Sequence, residues 1–173
     1  SNAAMFGQLV PIEMANSRGH WNPALTQVNA MKGTPYAIVM GVIASPLGVP
    51  CSPPPWGKLA AIDLRTGDIR WQVPLGSVHE MGPIALPFEI ELGTPNLGGP
   101  LLTGSGLIFI GATTDRRFRA FDSRSGEKLW TARLPNDGSA SPMTYTHKGR
   151  QYVVIAAGGQ VAFGRPLGDA LVA

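Results

Sequence analysis

The sequence predicts an all-β fold of short strands joined by turns, and three observations predict it. Glycine and proline number 22 and 16 in 173 residues, a density of backbone punctuation that argues against a helical bundle. Short apolar runs bounded by glycine, such as Gly106-Leu-Ile-Phe-Ile-Gly111, have the length and composition of strands. A strand–turn–strand segment also recurs: residues 58–71 align without a gap with residues 117–130, each pair 59 positions apart.

Composition narrows the class further. Hydrophobic residues make up 44% of the chain, enough for a core, and charged residues only 14%, below the roughly 25% usual in soluble domains. The formal net charge of +3 is spread without a basic block, so no nucleic-acid partner is expected. A single cysteine, Cys51, excludes an internal disulfide and a Cys-rich zinc site. Its flanking prolines and small size lead us to expect it buried.

Taken in order, Ser1-Asn-Ala3 reads as the scar of an expression tag and is left out of the fold. Residues 4–35 scatter Asn, Pro and Gly among isolated apolar residues and read as an irregular lead-in with one strand. The longest apolar run, residues 36–44, is far short of the roughly 20 residues that cross a bilayer. The abrupt start and the interrupted strand at residues 169–173 suggest a piece of a longer protein.

The repeat has a legible physics. Five positions are identical: Ala61/Ala120, Asp63/Asp122, Arg65/Arg124, Gly67/Gly126 and Trp71/Trp130. Alternation before each Asp reads as strand; the Asp carboxylate can accept local N–H bonds at a turn, and the Gly permits the reversal. A second strand then carries the Trp, and the small Ala leaves room for its ring. One such unit cannot bury its faces alone, so neighbours must stack on it. Residues 100–134 supply four strands in sequence, one propeller blade; residues 36–74 hold most of the preceding blade and 141–173 most of the following one. The long period is explained by a Pro-rich excursion at 77–96. A β-sandwich with a coincidental duplication is the bland alternative.

The pattern Ala-x-Asp-x-x-x-Gly-x-x-x-Trp resembles the tryptophan-docking motif of quinoprotein dehydrogenases, eight-bladed propellers that carry pyrroloquinoline quinone (PQQ). The likeness extends to Gly33-Thr-Pro-Tyr36, Ser45-Pro-Leu-Gly-Val-Pro-Cys51, Pro55-Trp-Gly57, Leu97-Gly-Gly-Pro100, Pro142-Met-Thr-Tyr145 and Gln151-Tyr-Val-Val-Ile155, which are similar to the C-terminal part of the membrane-bound glucose dehydrogenase branch. The resemblance implies about two to three blades of an eight-bladed propeller across residues 36–173. It also implies a parent that oxidises a sugar or polyol hydroxyl at the periplasmic face of the bacterial inner membrane. In that parent PQQ takes a hydride, Ca²⁺ polarises the quinone, an Asp acts as base and ubiquinone receives the electrons.

What carries over onto this chain is part of the cofactor's rim. The related alcohol-oxidising branch has Trp-Asn-Gly-Gly and Gly-Trp-Gly-Gly loops where this sequence has Asn96-Leu97-Gly98-Gly99 and Gly158-Gly159-Gln160. The resemblance therefore assigns Asn96, Gly98, Gly99, Gly159 and Gln160 to PQQ binding, with an ordinary turn as the competing reading for the glycines. No base or metal ligand matches a family motif here. The piece alone is expected to bind no cofactor, to be inactive and to self-associate through exposed strand edges. A cofactor-free propeller scaffold, similar to outer-membrane assembly lipoproteins, is the alternative from a different functional class.

The remaining polar residues read as bland. His20, His79 and His147 match no ligand spacing and read as solvated loop residues. Glu89 and Glu91 alternate with Phe88, Ile90 and Leu92 and are expected to face water on a strand. Arg116, Arg117 and Arg119 read as a solvated cluster, and Ser139 and Ser141 lack the context of a nucleophile.

Overall fold

A computed structural model describes residues 4–17, 26–46, 48–81, 86–160 and 165–173. Apart from one helical turn, the regular structure among the described residues is strand, in four sheets. Strands β1 (Met5–Pro11), β2 (Thr26–Ala30) and β3 (Tyr36–Val42) make the first, in the order β1-β3-β2, with helix α1 (Ile12–Ala15) beside it. Residues 4–35 thus carry more regular structure than the expected lead-in. Strands β4 (Lys58–Ile62) and β5 (Ile69–Pro74) form a two-stranded sheet of their own. The blade expected over residues 36–74 is accordingly divided, because β1 occupies one edge of β3 and β2 the other.

Strands β6 (Leu101–Leu102), β7 (Leu107–Ile110), β8 (Arg117–Asp122) and β9 (Lys128–Arg133) form an antiparallel meander in sequence order, the four-stranded blade read over residues 100–134. Strands β10 (Met143–His147), β11 (Arg150–Gly159) and β12 (Leu167–Val172) form a three-stranded meander after it. His20 lies outside the described residues.

The sheets stack face to face. Leu59 and Leu75, with Trp71 and Val73 packed on them, meet Ile108, Ile110, Ala112 and Phe121 of the four-stranded sheet in one core. Phe118 and Leu134 meet Ile155 and Ala157 of the last sheet in a second core, joined by Phe109, Val153, Ala170 and Val172. Alternating strands make this possible, since β8 sends Phe121 to one neighbour and Phe118 to the other. The first sheet closes a core of its own around Val10, Ala15, Ala37 and Val39.

Both copies of the repeat fold alike. Ala61 lies opposite Trp71 and Ala120 opposite Trp130, and each ladder shifts register at the next residue. In each turn the Asp main-chain oxygen accepts from the Gly N–H, at 2.7 Å for Asp63–Gly67 and 2.9 Å for Asp122–Gly126, and both glycines have positive φ. The carboxylates cap the same turns: Asp63 accepts from Arg65 N–H, and Asp122 from the N–H groups of Arg124 and Ser125. These bonds hold both carboxyls below their usual range, with Arg70 the largest influence on Asp63.

Successive units are joined by Trp71. Its indole N–H donates to the Ser123 main-chain oxygen at 3.0 Å, and a Cβ placed on Gly126 would lie 2.6 Å from its Cε3. Trp130, the equivalent ring one unit later, is 48% exposed and meets Phe118 edge-on, with ring centroids 6.1 Å apart.

Candidate functional site

Antiparallel strands alternate direction, so the β5–β6, β7–β8, β9–β10 and β11–β12 connections gather at one end of the stack. Here main-chain bonds couple each connection to the next. Leu97 N–H donates to Ala112 O (2.9 Å), Ala112 N–H to Gly138 O (2.7 Å) and Gly159 N–H to Asp137 O (3.0 Å). These four loops and the strand ends beside them, with Gly57 ahead of β4, carry the residues that the resemblance assigned to the rim and those that now touch them.

Asn96 forms an isolated β-bridge with Thr113, and its side chain lies over Gly57, where a Cβ would come 2.7 Å from Nδ2. Gly57 belongs to the Pro55-Trp-Gly57 segment, fixed by a bond from the buried Trp56 indole to Ser52 O at 2.7 Å. Gly98 has φ 134, and a Cβ there would stand 2.7 Å from Ser139 O; a Cβ on Gly99 would stand 2.6 Å from Ser141 Oγ. Gly159 has φ 81 and lies hard against the Pro166 main chain. Gly98 and Gly159, at positive φ with main chain in the way of a Cβ, are therefore required by how the loops pack, whereas at Gly99 the obstacle is the Ser141 hydroxyl.

The 96–99 and 158–160 loops are brought together by Ser139. Its hydroxyl donates to Gly159 O (3.2 Å) and accepts from Gln160 Nε2 (3.1 Å), while its main-chain oxygen faces Gly98. Sequence reasoning passed over Ser139 and Ser141, whose contacts arise only when separate loops meet. The one available signal was the pairing of two Gly-containing loops.

A buried ion pair supports the Asn96 side. Arg119 is 2% exposed and pairs with Asp115. Asp115 also accepts from Thr113 Oγ1 (2.6 Å), Arg117 N–H (3.2 Å) and Ser77 N–H (2.7 Å). Burial works against its charge, but the Arg119 bond and charge outweigh that and hold the carboxyl below its usual range. Thr113, thus fixed, is the residue bridged to Asn96. The expectation of a solvated arginine cluster fails here: alternation on β8 turns Arg119 inward, and Arg116 and Arg117 bond Glu80 and Glu89.

On the opposite flank Asp137 accepts from Arg165 Nε at 3.0 Å. Burial prevails over Arg165 and raises the Asp137 carboxyl above its usual range. Arg116, Asn136, Asp137, Arg165 and Pro166 line a cavity of about 240 Å³ there.

Three further expectations need correction. Residues 88–92 form no strand, although Glu89 and Glu91 are exposed as expected, where they also bond Arg117 and Lys128. Cys51 is exposed, in an irregular segment between β3 and β4. His79 is only partly exposed, and its Nδ1 is buried. Among the described residues no group of three or more His, Cys, Asp or Glu could hold a metal, and no helix is long and apolar enough to cross a membrane.

Stacked antiparallel sheets joined by a docked tryptophan, with glycine-rich loops gathered at one end, define part of a β-propeller. Residues 1–153 match the family model "PQQ: Glucose/ethanol/alcohol dehydrogenase, beta-propeller domain", and the chain belongs to that family. It is 45% identical over 148 residues to quinoprotein glucose dehydrogenase A of Acinetobacter calcoaceticus, covering 84% of this chain and 18% of that protein. It is 45% identical over 133 residues to quinate/shikimate dehydrogenase (quinone) of Acinetobacter baylyi, covering 75% and 16%. Among solved structures, a europium-containing methanol dehydrogenase superposes with a TM-score of 0.51 at 25% identity, over 77% of this chain and 20% of that one. The chain thus spans less than a fifth of the length of these two curated relatives.

Proposed function

We propose that this chain forms the C-terminal blades of a PQQ-dependent dehydrogenase that oxidises a sugar or polyol hydroxyl, and that Asn96, Gly98, Gly99, Gly159 and Gln160 border its cofactor. The observation that carries the reading is the convergence of the 96–99 and 158–160 loops on Ser139 at the end where the inter-strand connections gather. The donors present fit such a ligand, since side-chain amides and main-chain N–H groups suit the carboxylates and carbonyls of a flat quinone. Bound PQQ would supply a hydride acceptor, with Ca²⁺ as the Lewis acid on its oxygen.

This chain's part is to orient and exclude water. Asn96 is held by Thr113, Gln160 by Ser139, and the glycines let the loops close without side chains between them. The base and metal ligands are assigned to the remainder of the protein, as are ubiquinone as electron acceptor and the periplasmic setting. The 173-residue chain alone is accordingly expected to be inactive. It is also expected to self-associate through strand edges; a strictly monomeric sedimentation profile at high concentration overturns that expectation.

The test is a PQQ titration of the full-length protein with calcium, followed by dye reduction with glucose, quinate and glycerol. Saturable binding with substrate-dependent reduction is the expected result. Absence of saturable binding would overturn the reading in favour of a cofactor-free scaffold.

A further inference from the structure

Two of the rim groups proposed above bond one side chain that lies outside the repeat motif. Ser139 sits in the β9–β10 connection, half-buried, with a hydroxyl that has one proton to give. Gly159 O, 3.2 Å away, can only accept, so that proton is committed to it. The same oxygen must then accept from its other neighbour, and Gln160 Nε2, 3.1 Å away, is a donor. The direction of the two bonds settles which end of the Gln160 amide faces Ser139. It must be the NH₂, and the carbonyl oxygen is turned the other way.

We infer that Ser139 is a positioning residue that fixes the rotamer and amide orientation of Gln160 toward the bound ligand. The inference rests on the reading that Gln160 borders PQQ. Ser139 is itself held through its neighbour, since Gly138 O accepts from Ala112 N–H at 2.7 Å, and its main-chain oxygen packs close against Gly98. A side chain fixed in this way loses little conformational freedom on binding, and that is the source of the affinity gain. The Asn96–Gly99 loop and Gln160 are thereby kept in one register, since both contact the same serine.

Ser139→Ala removes both bonds and with them the restraint that the serine places on the Gln160 amide. In the full-length protein it is expected to weaken PQQ affinity by about five- to tenfold, the scale of one lost hydrogen bond. Gln160→Ala is expected to lose as much or more. The decisive comparison is the double variant: if Ser139 acts through Gln160, Ser139→Ala costs nothing further once Gln160 is alanine. Ser139→Thr, which keeps the hydroxyl, restores most of the affinity. Should Ser139→Ala fail to fold, Ser139→Cys takes its place, its thiol being a weak donor and acceptor.

Each other outcome is decisive. Wild-type affinity in Ser139→Ala beside a loss in Gln160→Ala overturns the positioning role and leaves the cofactor reading standing. An equal loss from Ser139→Ala in both backgrounds also overturns it, since the serine would then act independently of Gln160. Wild-type affinity in both single variants of a protein that binds PQQ overturns the assignment of this rim, and the inference with it.

Discussion

The indole of Trp71 spans two sheets: its N–H bonds the main-chain oxygen of Ser123, 52 residues further on, while its ring covers Gly126. Sequence neighbours of Trp71 pair with β4, so this one side chain joins two antiparallel units. Burial of the aromatic face and satisfaction of the indole N–H occur together, as a half-buried tryptophan requires.

Trp71→Phe keeps most of the apolar contact and loses the bond, at a cost of about 1 kcal/mol. Trp71→Ala loses both, at a cost of about 3 kcal/mol. Trp130→Phe, at the half-exposed equivalent position, is expected to change stability by less than about 0.5 kcal/mol. Urea denaturation of the three variants against wild type measures the difference. Equal effects at Trp71 and Trp130 would remove the inter-sheet role of Trp71.

Gly67 and Gly126 separate backbone strain from docking. Both have positive φ, 80° and 74°, but a Cβ on Gly67 meets nothing within 4 Å, whereas one on Gly126 runs into the Trp71 ring. Gly67→Ala should cost about 1 kcal/mol, the penalty of a left-handed alanine. Gly126→Ala should cost about 1–3 kcal/mol more, from overpacking. In the Trp71→Ala background that excess is expected to disappear, which thermal or urea unfolding can check.

The two buried carboxyls give opposite pH dependences. Asp115 is held below its usual range, so its stabilising contribution is full above that range and is lost as pH falls through its folded value. Asp137 is raised, so its charged form opposes folding, and that opposition is relieved as pH falls through its folded value. Asp115→Asn should flatten the acid loss of stability and Asp137→Asn should steepen it. Unfolding midpoints followed from neutral pH down through and below the usual carboxylate range measure both slopes, Asp137 at the upper end and Asp115 at the lower; parallel profiles for the two variants would contradict the assignment.

The legible parts of the molecule are those where one local pattern determines one local structure. The Ala–Asp–Gly–Trp spacing was readable because turn chemistry, strand alternation and ring packing all depend on nearby residues. Glu89 and Glu91 misled because Phe88–Leu92 alternates as a strand would, while their partners Arg117 and Lys128 lie 28 and 37 residues away. Arg119 reads as part of a charged surface because nothing in the local pattern marks its counter-ion Asp115, four residues earlier, as buried. At the rim, glycines announced a close approach of backbones, but nothing local announced that Ser139 would be what they approach.

The docked indole also bears on how such a molecule grows. Each copy of the motif offers a plug at its tryptophan and a receptacle at its glycine turn, and the same few letters encode both. A chain built this way can gain or lose whole units by duplication or deletion without inventing new chemistry at the joints, its stability rising with each joint added. The motif is therefore indifferent to the total number of units. The wedge angle between successive sheets must decide when the circle is full.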